Sequence, residues 1–336
     1  MKLDAGIGGI ESAAQRAADA EAAGYSGVFT AETGSDPFLP LLLAGEATET
    51  IDLITEIVVA FARNPMTTAA TANDIHRASG GRFILGLGSQ IKPHIERRFS
   101  MPWSKPAARM REFISALQAI WDCWNNGTKL DFRGDFYSHT LMTPFFNPGP
   151  NPNGPPKVYL AAVGDLMTAV AGEVTDGILI HPFTTERYVR EVTLPGLEKG
   201  AAKAGRSLED LDVVGPLFIV TGDDEKQRES ADGFVRNQIA FYGSTPAYRP
   251  VLELHGWGDL QTELNTLSKQ GEWVQMAALI DDDVLNAFAI VADSPADVAP
   301  AIAKRYGGVI DRVSFYSSWN PTPDQLADII ATLAGT

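Results

Sequence analysis

The residues best suited to chemistry lie where three strand-like segments end. One segment ends in Thr30-Ala-Glu-Thr33, a second in Gly86-Leu-Gly-Ser-Gln90, and a third in Ala161-Ala-Val-Gly-Asp165, which runs directly into a helix. The free backbone N–H groups at the start of such a helix form a ready site for phosphate. In the alternative, an ordinary turn, the Asp165 side chain caps the helix and itself fills the positive end. The third segment therefore predicts either an anion site or a capped turn.

Other common catalytic patterns are absent. Gly86-Leu-Gly88 looks like the start of a dinucleotide loop, but Ile91 stands where the third glycine of G-x-G-x-x-G belongs. The five histidines are scattered without the spacing of metal ligands, so no metal site is predicted. The nucleophile elbow G-x-S-x-G does not occur, which leaves no basis for hydrolase chemistry.

Short apolar strands alternate with amphipathic helices along the whole chain. Eight such units predict an α/β fold of the (β/α)8 TIM-barrel class. A doubly wound sheet shows the same alternation, but open sheets usually have fewer strands. A barrel would bring the three strand ends to one face. The predicted strands are Lys2–Gly8, Gly27–Ala31, Ile57–Phe61, Arg82–Gly88, Lys157–Val163, Gly177–His181, Asp212–Thr221 and Val309–Tyr316.

Two long stretches interrupt the alternation after strands four and seven. Residues 127–156 are rich in Gly, Pro and Asn and include Phe132–Tyr137, whose sequence predicts a hairpin. Residues 243–293 form the second stretch. We predict a single barrel domain over residues 1–336 in which these insertions wall the active site, since long insertions in barrels are usually functional. The alternative is peripheral decoration or a subunit contact.

Composition excludes several classes of protein. The 336 residues carry 27 basic and 42 acidic side chains, a net charge of −15, which argues against nucleic acid and anionic membranes as partners. No apolar stretch approaches the ~18 residues of a membrane span, and the N-terminus lacks the layout of a signal peptide. The single cysteine, Cys123, excludes an internal disulfide and fits a reducing compartment, so we predict a cytoplasmic protein.

The charge is unevenly distributed. Residues 63–111 contain nine basic and two acidic side chains, a net charge of +7 inside an acidic chain. Such a segment could hold an anionic ligand. The alternative is a solvated helix face whose charges pair with acidic neighbours.

Six longer segments carry a resemblance to a known family. Residues 17–29, 77–88 and 171–178 resemble the bacterial luciferase-like superfamily. Residues 31–40, 88–99 and 240–250 resemble, more closely, an actinobacterial branch of that superfamily, the F420-dependent oxidoreductases. The resemblance covers essentially the whole chain.

The resemblance implies a TIM-like barrel that binds coenzyme F420, a deazaflavin, or in relatives FMN. It also implies a small-molecule substrate and a homodimer. A strained non-prolyl cis peptide is expected near Glu56–Ile57. The implied cofactor-binding residues are Glu56 and Ile57 at this peptide, Gly88, Ser89 and Gln90 beside the ring, Ala161, Ala162, Val163, Gly164 and Asp165 on the ribityl-phosphate side, and His181 next to them.

The activity that the resemblance implies is hydride transfer between the deazaflavin C5 carbon and an organic substrate. Glu32 is the first candidate for a proton donor or acceptor, and the alternative is that it only hydrogen-bonds the ring or a backbone group. Aromatic and polar residues on the insertions are candidates for the substrate pocket, although packing of the insertions explains them equally well. They are Trp103, Tyr242, Tyr248, His255 and Trp257.

The chain departs from these relatives at four positions. Glu32-Thr33 stands where many relatives carry Asp-His, and Ile91 stands where sugar-phosphate-oxidising relatives carry Glu. Glu56 occupies a position where small residues are common. The substrate of those relatives is therefore not transferred. An FMN-dependent monooxygenase and a non-catalytic cofactor-binding protein remain alternatives.

Overall fold

A closed barrel of parallel strands organises the computed structural model, which describes residues 1–336. Eight strands pair in the cyclic order β1, β2, β3, β5, β8, β9, β10, β12 and back to β1. The predicted TIM-barrel class is confirmed. In chain order the strands are β1 (Lys2–Gly6), β2 (Gly27–Thr30), β3 (Asp52–Thr55), β4 (Val58–Val59), β5 (Phe83–Gly88), β6 (Phe132–Arg133), β7 (Ser138–His139), β8 (Lys157–Ala161), β9 (Gly177–Leu179), β10 (Asp212–Val220), β11 (Ala289–Val291) and β12 (Arg312–Tyr316).

Helices surround the barrel and also form most of the second insertion. None of them combines the length and apolar character that crossing a bilayer requires. The helices are α1 (Ala13–Ala22), α2 (Phe38–Ala47), α3 (Pro65–Ala78), α4 (Pro106–Asn126), α5 (Asp165–Val174), α6 (Glu186–Tyr188), α7 (Leu194–Lys203), α8 (Glu225–Gly243), α9 (Arg249–Leu254), α10 (Gly258–Gln270), α11 (Trp273–Ala278), α12 (Asp282–Phe288), α13 (Val298–Tyr306) and α14 (Pro323–Ala334).

Local sequence signals set several helix boundaries. The Asn64 side chain accepts a hydrogen bond from the backbone N–H of Thr67 at 3.1 Å, and Pro65 follows at the first position of α3. Helix α5 packs closely on α7 through glycines. A Cβ at Gly172 would lie 2.1 Å from the Leu197 carbonyl oxygen, so only glycine fits there. This contact fixes α5 and hence the strand end that precedes it.

The third barrel strand is where the sequence prediction is wrong. The predicted strand Ile57–Phe61 is instead a two-residue strand, β4, followed by a short 3-10 turn, and the barrel strand is β3. Strand β3 pairs with β2 and β5 and begins with the charged residue Asp52. Glu56 and Ile57 consequently lie at the carboxyl end of a barrel strand. Strand β11, which pairs with the end of β10, was also not predicted.

Side chains fill the barrel in layers. The middle layer is apolar and consists of Ile54, Ile84, Tyr159, Leu179 and Val214. Below it, at the amino end of the strands, an ion-paired layer closes the barrel. There the guanidinium of Arg312 binds the Asp4 carboxylate at 2.7 and 2.8 Å and Asp52 at 2.6 Å. A cavity lined by Asp52, Asp212 and Arg312 also opens at this amino end. The carboxyl end of the strands is called the mouth below.

The two insertions lie on the barrel differently. The predicted hairpin in residues 127–156 is present as β6 and β7, and the Glu112 carboxylate of α4 holds its turn by accepting three backbone N–H bonds. The second insertion contributes α9 to α12, of which α10, α11 and α12 contact α8. It thereby brings aromatic side chains to the end of β9.

Candidate active site

A cleft opens at the carboxyl end of the barrel between the start of α5, the loop after β9 and helix α9. The space free of protein atoms in this cleft is about 420 Å³, a volume that includes part of the open solvent. Six of the predicted site residues line it together. They are Ala162, Val163, Gly164, Asp165, His181 and Tyr248. Thr168, Phe183, Thr184 and Tyr188 line it as well and were not predicted.

The start of α5 presents its backbone N–H groups to this cleft. Gly164 precedes the helix with φ +78°, a conformation that L side chains rarely adopt, and no atom occupies the space a Cβ would take. No side chain caps the helix, and Asp165 itself is exposed. The capped-turn alternative is therefore wrong, and the positive end of α5 stays available to an anion.

His181 stands at the end of β9 as a neutral ring. Its Nδ1 accepts a hydrogen bond from the backbone N–H of Phe183 at 3.0 Å, so the ring proton is on Nε2. Burial lowers the pKa of His181 to about 4. The ring stacks on Tyr248 with centroids 4.5 Å apart and meets Tyr242 edge-on at 4.7 Å. Two predicted substrate-pocket residues thus contact a predicted cofactor residue.

A chain of hydroxyl groups extends this aromatic wall. The hydroxyl oxygens of Tyr242 and Tyr316 are 3.0 Å apart, and Tyr316 donates to the Gln238 side chain at 2.8 Å. Tyr316 ends strand β12 and also stacks on Phe218 of β10. Neither Tyr316 nor Gln238 was predicted, although an aromatic residue ending a predicted barrel strand is a signal that could have identified Tyr316.

Glu32 follows β2 and is held by an ion pair. Both of its carboxylate oxygens accept from the Arg63 guanidinium, at 2.6 and 2.7 Å, and one also accepts from the backbone N–H of Val59 at 2.7 Å. The Arg63 guanidinium also donates a hydrogen bond to the Asp36 carboxylate at 3.0 Å. The Glu32 side chain is only 8% exposed. The Glu32 carboxylate therefore joins the end of β2 to Val59 and Arg63. Its role as an acid or base remains a prediction.

Glu56 follows the neighbouring strand, and the backbone N–H of Glu32 donates to the carbonyl of the following residue, Ile57, at 3.1 Å. The Glu56–Ile57 peptide bond is cis, at the position that the resemblance implies. The Glu56 carboxyl accepts no protein hydrogen bond, and burial, with the nearby charge of Asp4, raises its pKa to about 8 against the opposing effect of Arg312. At neutral pH this carboxyl is mostly protonated.

The segment after β5 meets Ile57. A Cβ at Gly88 would lie 2.6 Å from the Ile57 Cδ1, so glycine is required for this close approach. Ser89 donates a hydrogen bond to the Gln90 carbonyl at 3.1 Å, and Gln90 adopts φ +58°. These three predicted residues lie at the mouth beside Ile57 and outside the α5 cleft.

The remaining predicted pocket residues lie farther from the cleft. Trp103 packs edge-on against Phe61, with centroids 5.7 Å apart. His255 stacks on Trp257 at 4.7 Å, and its Nε2 is 2.8 Å from the Thr185 hydroxyl at the start of α6. This last contact ties the second insertion to the loop after β9.

Most of the basic residues in segment 63–111 are already engaged. Arg82 binds backbone carbonyls, Arg109 binds the Pro102 carbonyl, and Arg111 pairs with Glu173 at 2.9 Å. An anionic ligand would therefore depend on the few that remain exposed on the loop after β5. They are Arg97 and Lys105, since Lys92 pairs with Glu96 at 3.9 Å.

Comparison with known proteins identifies the family. Residues 2–312 match the family model described as luciferase-like monooxygenase. The chain belongs to this family. An uncharacterized protein of Mycobacterium tuberculosis is 54% identical over 318 residues, covering 93% of this chain and 92% of that protein.

Two reductases are also similar to this chain, one in sequence and one in structure. A 5,10-methylenetetrahydromethanopterin reductase of Archaeoglobus fulgidus is 29% identical over 262 residues, covering 76% of this chain and 73% of the relative. The structure of the coenzyme F420-dependent tetrahydromethanopterin reductase of Methanopyrus kandleri superposes with a TM-score of 0.78 at 21% identity, covering 98% of this chain and 96% of that one. This likeness shows the shared barrel fold.

Proposed function

We propose that this member of the luciferase-like family is a coenzyme F420-dependent oxidoreductase that transfers a hydride between the deazaflavin and a small organic substrate. The observation that carries the proposal is the uncapped start of α5 opening into a cleft at the barrel mouth. The F420-linked reductase that shares this fold supports the choice of cofactor. The bound deazaflavin would supply the redox chemistry, and the protein supplies position and electrostatics.

The cleft fits the phosphate end of such a cofactor. The first backbone N–H groups of α5 and the buried side chain of Thr168 provide polar groups along the cleft. Gly164 leaves open space in front of them. His181 adds an Nε2–H donor without adding charge, since its ring is neutral at pH 7. These residues would bind and orient the phosphate.

The mouth beside the cleft fits a flat ring. Strand alternation turns Gly6, Gly86, Gly88 and Ala161 inward near the carboxyl ends of their strands, and the Phe29 ring packs over Gly6. Small residues and this ring therefore form the floor. The wall of Tyr242 and the other aromatic side chains around His181 would exclude water on one side. Substrate would then approach past the second insertion.

An FMN-dependent monooxygenase is the second candidate, and the name of the family favours it. Phosphate recognition at α5 serves FMN equally well. A non-catalytic cofactor-binding protein is the third reading, because Glu32 is committed to Arg63.

Fluorescence titration of the purified protein with F420 and, separately, with FMN tests the proposal. We expect saturable F420 binding that Thr168→Val weakens. The matched control Thr71→Val, on the exposed face of α3, should bind as the wild type does. Tight FMN binding without F420 affinity would refute the proposal. Turnover with any donor–acceptor pair would exclude the non-catalytic reading.

We further propose that the chain works as a cytoplasmic homodimer. Helix α2 exposes a row of leucines, with Leu39 51%, Leu42 37% and Leu43 40% exposed. Such apolar surface is typical of protein contacts. Light scattering should give twice the monomer mass, and Leu42→Glu should halve it; a wild-type monomer would refute the dimer.

A further inference from the structure

The Glu56 side chain occupies a distinct place in the barrel mouth. Strand alternation places Asp52, Ile54 and Glu56 on the inward face of β3, with Asp52 in the ion-paired layer and Ile54 in the apolar layer. Glu56 is therefore the next residue upward, at the level where the inward positions of neighbouring strands are glycine or alanine. It is partly exposed, so it can exchange protons with water.

Two charged side chains act on the Glu56 carboxyl, and both lie on barrel strands. Asp4 of β1 and Arg312 of β12 act on it from below, where they are paired with each other. Strands β8 and β9 contribute Tyr159 in the apolar layer and the neutral His181 at the mouth. No basic side chain binds the Glu56 carboxyl directly.

The other carboxylate at the mouth is differently placed. Glu32 is fixed by Arg63 and by the Val59 backbone N–H, and a protonated Glu32 would lose this ion pair. Glu56 gives up no protein hydrogen bond when it changes protonation state. Of the two groups, Glu56 is the one free to gain and lose a proton.

We propose that the Glu56 carboxyl group is the proton donor and acceptor for the hydride transfer, and that the substrate is a neutral carbonyl compound or its alcohol. This inference rests on the proposed function. In the reducing direction, the substrate carbon gains a hydride from the reduced deazaflavin, which is oxidised. The carbonyl oxygen gains the proton of Glu56, which is left as a carboxylate and takes a proton from water.

The substrate class follows from this balance. A neutral carbonyl becomes an alkoxide unless a proton accompanies the hydride, so a protonated carboxyl at the mouth lowers the barrier. A cationic acceptor, such as an iminium ion, needs the hydride alone. A neutral acid would then serve no purpose.

Carbon-13 NMR of the cofactor-free protein, labelled at the glutamate carboxyl carbon, tests the protonation state. We expect one resonance to titrate near pH 8, to disappear in Glu56→Gln and to persist in Glu229→Gln, a control on the exposed face of α8. Titration of Glu56 in the ordinary carboxyl range would overturn the proposal. This readout does not depend on cofactor binding.

Reduction of cyclohexanone and of a cationic N-alkylpyridinium probe by reduced F420 tests the substrate class. We expect the wild type to reduce the ketone and Glu56→Gln to lose about 10²-fold in kcat with a similar KM, while Glu229→Gln is unaffected. A variant within a few-fold of the wild type, or reduction of the cationic probe alone, would overturn the proposal. Absence of F420 binding would instead refute the proposed function while the NMR titration still reports on Glu56.

Discussion

The stability of the protein should carry a pH dependence that originates at Glu56. The folded state holds this carboxyl with a pKa of about 8, against an ordinary value of 4.5 that we take for the unfolded chain. Between these values the folded state binds the extra proton, so the free energy of unfolding falls as the pH rises. Glutamine has nearly the same shape and does not titrate. Glu56→Gln should therefore be more stable than the wild type at neutral pH.

The size of this effect follows from the separation of the two pKa values. One unit corresponds to about 1.4 kcal/mol, so the 2.5 units between 4.5 and pH 7 give a difference of about 3 kcal/mol. Above pH 8 both states are ionised and the difference should level off at about 5 kcal/mol.

Urea unfolding at several pH values from 4.5 to 9, followed by tryptophan fluorescence, measures this difference. The control Glu229→Gln should leave the free energy of unfolding within about 0.5 kcal/mol of the wild type, because Glu229 is exposed and makes no ion pair. A Glu56→Gln effect that is constant across the range would mean that the carboxyl has an ordinary pKa. The account of the barrel mouth as a site that holds a neutral carboxyl would then fail.

Three further predictions concern the neighbouring groups. Glu32→Gln should lower the stability by about 1–3 kcal/mol through the weakened bonds to Arg63, with turnover within a few-fold of wild type; a 10²-fold loss in kcat would return the acid/base role to Glu32. Arg312→Met leaves Asp4 buried without its partner and should cost about 3–5 kcal/mol in thermal or urea unfolding, and a second change, Asp4→Leu, should recover most of it. His181 has a folded pKa of about 4, below its ordinary value of 6.5, so its contribution is complete above pH 6.5 and is lost as the pH falls toward 4. The stability difference between wild type and His181→Phe should shrink over that range, and a difference independent of pH would contradict the buried neutral ring.

Much of the fold could be predicted because barrel strands carry local signals. Strand β5 is apolar on all sides, as a doubly covered parallel strand must be, and Asn64-Pro65 marks the start of α3 within one residue. Strand β3 was missed because it begins with the charged residue Asp52, whose carboxylate is paired inside the barrel by Arg312, 260 residues away. The local sequence around Asp52 gives no information about that partner. The more apolar segment that follows, Ile57–Phe61, is therefore predicted as the strand instead.

The candidate site divides in the same way. The residues of the α5 cleft are contiguous in sequence and follow one strand, so their grouping could be predicted from the chain. The state of each carboxylate could not. Glu32 and Arg63 are 31 residues apart, and nothing in their spacing reveals the ion pair. Glu56 has no such partner, and this absence is visible only once three strands have assembled around it.

The two carboxylates explain how one barrel mouth can keep its chemistry while its residues change. A proton carrier in hydride transfer needs access to the reacting atoms and a pKa near the working pH, and neither depends on which strand supplies it. In this chain the carboxylate after β2 is neutralised by Arg63 and stabilises the wall. The carboxyl after β3 lies unpaired over a floor of small residues and the Phe29 ring, with a pKa of about 8. If both act as proposed, removing the Arg63 side chain should lower stability far more than it lowers the rate of hydride transfer.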